Sequence, residues 1–494
     1  MNELEWSAFD RTTLKFIPEG VVDRLVHENA VATSLRINRH SLEEADLIEF
    51  ILKQAKKAFS VAILAQANTN EAMRWLQKNG ICDKDLPVRR QTREWSKSWR
   101  RDFYEQQWKV FVPIFSVEKP MHEFQEAQIL PFIGKPVATV DGSFGEITQY
   151  ILHKDHILPK PQVHTSFAVK RIKGGNVARD HVERWEKEVE ALRDMETLKQ
   201  NHIIRFITAF RRRKRDSTVE HYIMFEWADG GNLRDLWRSM PRPTVTSSII
   251  SAMITQLVGL AEALCAAHYI GMGARSYRHG NLKPENIFVF KTSEALPTLK
   301  IGDWGEAKFH EKATELRPEQ TLVEYATLRY EAPEAVTGLS LKWLSQPIKR
   351  RSRLYDIWAM GCITLEFMIW LLYGVDELGR FHTEMQDDLS TNEPYYQIRM
   401  RDGVKIARVH SVAVRWMEHM AKEHVCQPDT ALGDLLDIVR NGLLVVKLPR
   451  RMESYVTPLS DSKQRSVGLL TVPAEQSTMP SEPDIPTIIV TDPT

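Results

Sequence analysis

The stretch Tyr277-Arg278-His279-Gly280-Asn281-Leu282-Lys283-Pro284-Glu285-Asn286-Ile287 packs several hydrogen-bonding side chains into a short space. Asn281 and Asn286 carry amide oxygens, Lys283 a cation, and Asp303 follows between Gly302 and Trp304. Amide and carboxylate oxygens are the donors that a hard divalent cation takes. Upstream, Gly142 and Gly145 frame a Gly-x-x-Gly turn, where a backbone without Cβ atoms can close over a ligand and present its N–H groups. Lys170 stands in the otherwise apolar run Phe167-Ala168-Val169-Lys170, which a surface role leaves unexplained.

Elements of two kinds must position these groups. Residues 1–129 read as mostly helical. Ser41-Leu42-Glu43-Glu44 fits a capping box, and Ile48, Ile51, Leu52, Ala55, Phe59 and Ala62 behind it recur at helical spacing. A second helix covers Glu71 to Lys78 and stops at Asn79-Gly80. A third, Glu94 to Lys109, carries Trp95, Trp99, Phe103 and Trp108, aromatic bulk suited to packing. From about Leu130 short strand-like runs alternate with glycine turns: Val137 to Ile151, Phe167 to Ile172, Ile203 to Phe210 and Tyr222 to Trp227, with a charged helix from His181 to Lys199. The basic run Arg211 to Arg215 fits a solvated hairpin tip or, alternatively, a nuclear-import or nucleic-acid contact; Lys349 to Arg353 is similarly ambiguous. After Asp229-Gly230-Gly231-Asn232 the chain reads as predominantly helical to about Leu448, and residues 451–494, rich in Pro, Ser and Thr, read as a disordered tail in which Thr457-Pro458 is a weak phosphorylation signal.

The bulk numbers narrow the class. A chain of 494 residues, 43% hydrophobic and 27% charged, is ordinary for a soluble multi-domain protein. A net charge of +1 provides no global field for nucleic acid or anionic lipid. The four cysteines form no C-x-x-C pair, which suits a reducing compartment. Met1 to Trp6 lacks a basic and apolar leader, so the expectation is a cytoplasmic or nuclear chain. The run Ile357 to Val375, with Glu366 as its single charge, approaches membrane-spanning length but is read as a buried core helix.

Strands first and helices second suggest a two-lobed α+β unit. The motifs, in this order, resemble those of eukaryotic protein kinases. The resemblance covers residues 130–450, with a small lobe at 130–228 and a large lobe at 232–450. It implies ATP and Mg²⁺ as cofactors and a protein substrate or partner, with neither nucleic acid nor membrane. Gly142 and Gly145 correspond to the second half of the glycine-rich loop, with Val140 where its first Gly would stand. Lys170 corresponds to the phosphate-gripping lysine. Glu188 is the glutamate that would fix it, Glu186 and Glu190 being the neighbouring registers. Phe225, Glu226 and Ala228 fall in the hinge, with Phe225 as gatekeeper; Asn232-Leu233 would open the first large-lobe helix. Asn286 and Asp303 correspond to the metal ligands, and Trp304 to the aromatic residue that stacks with His279, Leu192 and Phe206. Lys283 is of the serine/threonine type, and Ala332-Pro333-Glu334 closes the activation segment. By the same comparison Asp356 holds the catalytic-loop backbone.

Two residues depart from the pattern. Gly280 replaces the loop arginine that pairs with a phosphorylated activation segment, which implies a segment that does not depend strictly on phosphorylation at Thr321; Thr327 is expected to matter structurally. Asn281 replaces the catalytic aspartate. The chain as a whole is similar to filamentous-fungal protein-kinase-like proteins, in which the glycine is common and the asparagine is the real departure. An amide keeps the carboxylate's shape but cannot accept a proton, and loss of a general base costs about 10²–10⁴-fold. Two functions remain open: a serine/threonine kinase with weakened catalysis, and a pseudokinase acting as a nucleotide-bound scaffold.

Overall fold

The computed structural model describes residues 3–9, 14–37, 41–66, 68–87, 97–136, 139–142, 145–172, 178–270, 277–306, 308–309, 328–337, 353–386, 393–401 and 404–447. They fall into two compact units: Met1–Val189 with Arg205–Trp227, and Glu190–Ile204 with Ala228–Thr494.

In the first unit, helices α1 (Leu42–Gln54), α2 (Lys56–Leu64), α3 (Thr69–Lys78) and α4 (Lys97–Gln107) follow one another. Leu47, Ile48, Ile51, Ala55, Phe59, Ala62, Met73 and Leu76 are buried in one apolar cluster, with Trp99 and Phe103 of α4 packed into it. The helical spacing through Ala62 looked continuous, yet the chain breaks at Ala55 (φ −141°). The break frees the first N–H groups of α2, and Asp83 satisfies them by accepting from Lys57 N (2.9 Å) and Ala58 N (2.8 Å). The expected capping box at Ser41 does not form, for its side chain makes no cap hydrogen bond. Gly80, at φ +65°, ends α3 in the left-handed conformation that glycine tolerates. Trp108 packs elsewhere, with Phe16, Val112 and Ile129, and Trp95 lies outside the described residues.

A sheet occupies the rest of this unit: β1 (Met121–Gln125), β2 (Phe132–Ile133), β3 (Thr139–Gly142), β4 (Gly145–Leu152), β5 (Thr165–Ile172), β6 (Phe206–Arg213) and β7 (Val219–Glu226). The spatial order is β1-β6-β7-β5-β4-β2 with β3 beside β4, and only the β1–β6 pair is parallel. The described residues of 1–129 are mostly helical as expected, and β1 is a strand among them. Met121, Glu123 and Gln125 are exposed while His122 and Phe124 are buried, the period of two that marks a half-buried strand. Short strands at Glu5–Ser7, Leu14–Phe16 and Phe115–Ser116 also lie in this mostly helical stretch. One face of the sheet buries rings, among them Phe210 stacked on Tyr222 at 4.6 Å and Phe9 against Phe132 at 5.4 Å. Helix α5 (Ala178–Thr197) contributes Trp185, whose indole donates to the Tyr222 carbonyl at 3.3 Å.

The basic run at 211–215 is engaged within its own unit. Arg211 pairs with Glu123 (2.9 Å), buried Arg212 donates to the Glu126 carbonyl (2.7 Å), and Lys214 and Arg215 pair with Glu220 and Glu126. Arg211 to Arg213 belong to strand β6, so only the end of the run is a hairpin tip.

Among the described residues the longer helices of the second unit are α6 (Leu233–Ser239), α7 (Ser247–His268), α8 (Leu354–Tyr373), α9 (Val375–Glu384), α10 (Ser411–Met420) and α11 (Ala431–Ile438), with a single turn at Glu334–Thr337. Asn232 caps α6 with a capping box: its amide oxygen accepts from Arg234 N and Asp235 N, and Asp235 accepts from Asn232 N. Both α7 and α8 are long and apolar enough to cross a membrane by composition. Every α8 residue from Tyr355 to Tyr373 is buried, as a core helix requires. Strands β8 (Tyr277–Arg278), β9 (Ile287–Phe290), β10 (Thr298–Ile301) and β11 (Lys308–Phe309) form two small antiparallel pairs, β8 with β11 and β9 with β10. A further hairpin, β12 (Tyr396–Arg401) and β13 (Val404–Val409), interrupts a region read as predominantly helical. Of the second basic run only Arg353 is described, over the Tyr269 ring at 4.3 Å; the tail from 451 lies outside the described residues.

His156 gives the first unit a titratable weak point. It is fully buried, its Nε2 accepts from Glu19 N (3.0 Å) and its Nδ1 donates to the Pro113 carbonyl (3.1 Å). Burial pushes its pKa down to about 4 from the ordinary 6.5. The unfolded chain therefore takes up the proton first, so stability is complete above pH about 6.5 and falls as pH drops toward about 4. Thermal unfolding followed across that window should show the loss, and His156→Gln should flatten the slope.

Candidate functional site

The first unit supplies a buried ion pair. Lys170 lies on β5 with Ile223 of β7 as its cross-strand neighbour, and Glu188 lies on α5. Lys170 Nζ meets Glu188 Oε1 at 2.7 Å with the two side chains 7% and 2% exposed. Glu186 and Glu190 are exposed, so Glu188 is the register the structure selects. Two charges taken out of water cost several kcal/mol that their mutual attraction barely offsets, so such a pair is weak support for a purely structural purpose. Gly142 and Gly145 pair with each other across the β3–β4 turn. At Gly145 a Cβ would stand 2.3 Å from the Arg171 carbonyl oxygen, so close strand pairing alone demands glycine there. Ser143 and Phe144 between them lie outside the described residues. Phe225 is buried 6.5 Å from the Phe206 ring, and Glu226 uses its N–H and carboxylate on Arg205. Ala228, half-buried, accepts from Gly231 N at 3.3 Å.

The second unit carries the loop. Asp356, wholly buried near the start of α8, accepts His279 N (2.8 Å) at Oδ2, Gly280 N (2.9 Å) at Oδ1 and His268 Nε2 (2.9 Å) at Oδ2. Burial pushes its carboxyl pKa up, but His268, His279 and the Gly280 N–H outweigh this and hold it below the ordinary value. Gly280 has φ +76°, a left-handed backbone that costs glycine nothing. The His279 ring accepts from Asn281 N at Nδ1 (3.3 Å), so Nε2 carries the proton and donates to the Gly302 carbonyl at 2.8 Å. Trp304 meets the same ring edge-on, 4.8 Å between centroids. Leu192 and Phe206 are both buried, each in its own unit.

Asn281 is 6% exposed. Its carbonyl accepts from Asn286 Nδ2 (2.8 Å), and the Asn286 carbonyl accepts from Gly302 N (3.0 Å). With its amide nitrogen so committed, Asn286 has its side-chain oxygen left for a cation. Asp303, next in line, is half-buried at φ +60°, a conformation that Asp tolerates better than most residues. No cluster of three or more His, Cys, Asp or Glu residues suited to a metal occurs among the described residues. One carboxylate and one amide oxygen fit Mg²⁺, which keeps waters and takes phosphate oxygens rather than an all-protein cage. Lys283 is half-buried two residues beyond Asn281. Thr321 and Thr327 lie outside the described residues.

One hub was passed over in the sequence. Glu366, noticed there only as the lone charge of an apolar run, is completely buried on α8. It accepts from the Tyr330 hydroxyl (2.8 and 2.9 Å), from Tyr395 (2.9 Å) and from His382 Nε2 (2.7 Å), with Arg234 Nη1 at 3.7 Å. Arg234 also holds Glu285 of the loop (2.6 Å) and donates to the Tyr330 hydroxyl. Arg234 thereby links the loop to Tyr330, four residues before Glu334. A charge inside an otherwise apolar helix was the available signal.

A sheet bearing a buried Lys–Glu pair, and a helical unit whose loop hangs from a buried aspartate, together define a protein-kinase-like α+β fold. The protein kinase domain family matches residues 141–394, just over half of the chain, and the chain belongs to that family. Among curated relatives, the serine/threonine-protein kinase chk-1 of Caenorhabditis elegans is 24% identical over 46% of this chain and 38% of its own length. The human cyclin-dependent kinase-like 4 is 26% identical over 47% of this chain and 58% of its length. A probable cyclin-dependent kinase 8 of Dictyostelium discoideum is 32% identical over 22% and 27%. The chain thus spans less than two thirds of each of these relatives.

The hub makes a measurable claim. Arg234→Met leaves Glu366 buried without its cation, and should lower unfolding free energy by about 3–5 kcal/mol in denaturant titrations. Adding Glu366→Gln should recover part of that loss. Burial raises the Glu366 pKa, but Arg234 and His382 outweigh it and hold the group at about 2 against an ordinary 4.5. Its stabilisation is therefore present above pH about 4.5 and lost as pH falls toward about 2.

Proposed function

We propose that this chain binds ATP with Mg²⁺ and transfers the terminal phosphoryl group to serine or threonine of a protein substrate, at a rate limited by Asn281. The observation that carries this reading is the Lys170–Glu188 pair, buried at 2.7 Å. Its purpose is to hold an ammonium rigidly for phosphate oxygens, since a lone lysine would be mobile. Glycines 142 and 145 would cover the phosphates, and the backbone of Glu226 and Ala228 would receive the adenine. Asn286 and Asp303 would hold Mg²⁺, which when bound neutralises charge on the phosphates. Lys283 would sit beside the transferred group, as in serine/threonine kinases. The Asn281 amide can orient a substrate hydroxyl but leaves its proton to another acceptor.

A second reading is supported by Asn281 itself. A buried neutral amide where the family places its base keeps the loop's shape while surrendering its chemistry. On this view the chain is a pseudokinase, a nucleotide-bound scaffold for a protein partner.

Purified chain with Mg²⁺ and labelled ATP separates the two. Under the first reading the native chain phosphorylates a generic Ser/Thr acceptor slowly, Asn281→Asp raises the rate by about 10²–10⁴-fold, and Lys170→Ala abolishes both. Under the second, Mg–ATP raises the melting temperature of the native chain and no transfer is seen. Absence of any Mg–ATP stabilisation, with Lys170→Ala indistinguishable from native, rejects both nucleotide-dependent readings.

A further inference from the structure

The β12–β13 hairpin begins just past the end of the family match at 394, and nothing in the proposed chemistry uses it. Its register pairs Gln397 with Arg408, Arg399 with Ile406 and Met400 with Lys405. Directly opposed residues share a face, so Gln397, Arg399, Arg401, Ile406 and Arg408 lie together. The Arg408 guanidinium confirms the grouping by donating to Gln397 Oε1 at 2.8 and 3.1 Å. Arg399, Arg401, Lys405 and Arg408 are all exposed, and the segment's sole acid is Asp402. Met400 is 64% exposed on one face and Ile406 46% on the other. Tyr396 anchors the base, its ring 6.2 Å from Trp358 of α8, and the strand Val404–Val409 packs beside the short helix Glu334–Thr337.

The sheet has two strands, so among the described residues neither outer edge is paired with a further strand. A two-stranded ribbon is marginal alone, and an unpaired edge is a template for another strand. Positive charge along an edge repels basic strands and attracts acidic ones, which favours an acidic strand as the addition.

We infer that this hairpin is a docking surface for an extended, acidic segment of a partner protein, which adds as a third strand. Its carboxylates meet Arg399, Arg401 and Arg408, and its alternate aliphatic side chains fall on the opposite face, where Met400 is exposed. Nucleic acid fits less well. Single strands bind through exposed aromatic platforms, and the hairpin's one ring, Tyr396, is buried.

The test uses the full chain and a fluorescent, acetylated peptide alternating Glu with Val, followed by anisotropy. Binding should weaken with added salt. The triple variant Arg399→Glu, Arg401→Glu, Arg408→Glu should reduce affinity by about tenfold or more. A copy of the peptide N-methylated at alternate residues, unable to donate to the edge, should fail to bind the native chain. That arm needs no variant, so it decides the matter even if the triple variant misfolds by circular dichroism. The inference is overturned if the acidic peptide does not bind, if the N-methylated copy binds equally, or if a Lys–Val peptide matches it. Displacement of the acidic peptide by equal concentrations of a single-stranded oligonucleotide or phosphatidylserine vesicles would overturn it as well, in favour of a general polyanion surface. No arm depends on ATP, so failure here is separable from failure of the proposed phosphoryl transfer.

Discussion

The Asp356 carboxylate is the constraint on which the second unit's site depends. It is buried in an apolar helix, where an isolated charge would be expelled or neutralised, and it persists because three donors converge on it. Two of them are consecutive backbone N–H groups of the loop, at His279 and Gly280. Fixing two successive amides fixes a peptide plane, and Gly280 supplies the left-handed turn that brings both toward one carboxylate. The ring of His279 is then aimed at the Gly302 carbonyl. Gly302 in turn donates to the Asn286 carbonyl, and Asn286 reaches back to the Asn281 carbonyl. A single buried anion thus determines the relative placement of Asn281, Asn286 and the residue before Asp303.

The same helix carries a second buried anion, Glu366, about 15 Å further along its axis at 1.5 Å per residue. Each one organises a different stretch of chain: Asp356 the loop, Glu366 the turn at Tyr330. Arg234 connects the two arrangements because it binds Glu285, in the loop, as well as Glu366 and Tyr330. The placement of Tyr330 relative to the loop rests on carboxylates, a guanidinium and a tyrosine hydroxyl.

Local signals made much of this legible. Asp356-Ile357-Trp358 identified a core helix, Asn232-Leu233 marked a helix start, and Lys170 inside an apolar strand announced a partner. What failed were inferences from pattern without tertiary context. Ser41 and Glu44 have the spacing of a capping box, but the side chain makes no such bond. Ala55 breaks a helix whose apolar period runs straight through, because Asp83, distant in sequence, caps the new end. The strand at 121–125 and the hairpin at 396–409 alternate with period two, and Asp402-Gly403 is a strong hairpin dipeptide, so those signals were present and outweighed by the helical surroundings. Glu366 could not have been assigned from sequence, since its partners come from four separate segments.

The geometry bears on what Asn281 can do. His279 is neutral, its pKa lowered by burial, and both ring nitrogens are engaged. Glu285 is bound by Arg234, and Arg278 and Lys283 are cations. The loop's histidine is thus engaged at both ring nitrogens, and its one carboxylate, Glu285, is tied through Oε1 to Arg234 rather than standing at position 281. Meanwhile the backbone that would aim such an aspartate is held by the Asn286 bond to the residue's carbonyl, and that bond is indifferent to whether the side chain ends in oxygen or nitrogen. The loop keeps its shape for reasons that lie outside residue 281, so its shape is no measure of its charge. What distinguishes a slow catalyst from a scaffold in this chain is thus the protonation chemistry of one side-chain terminus rather than a difference in fold.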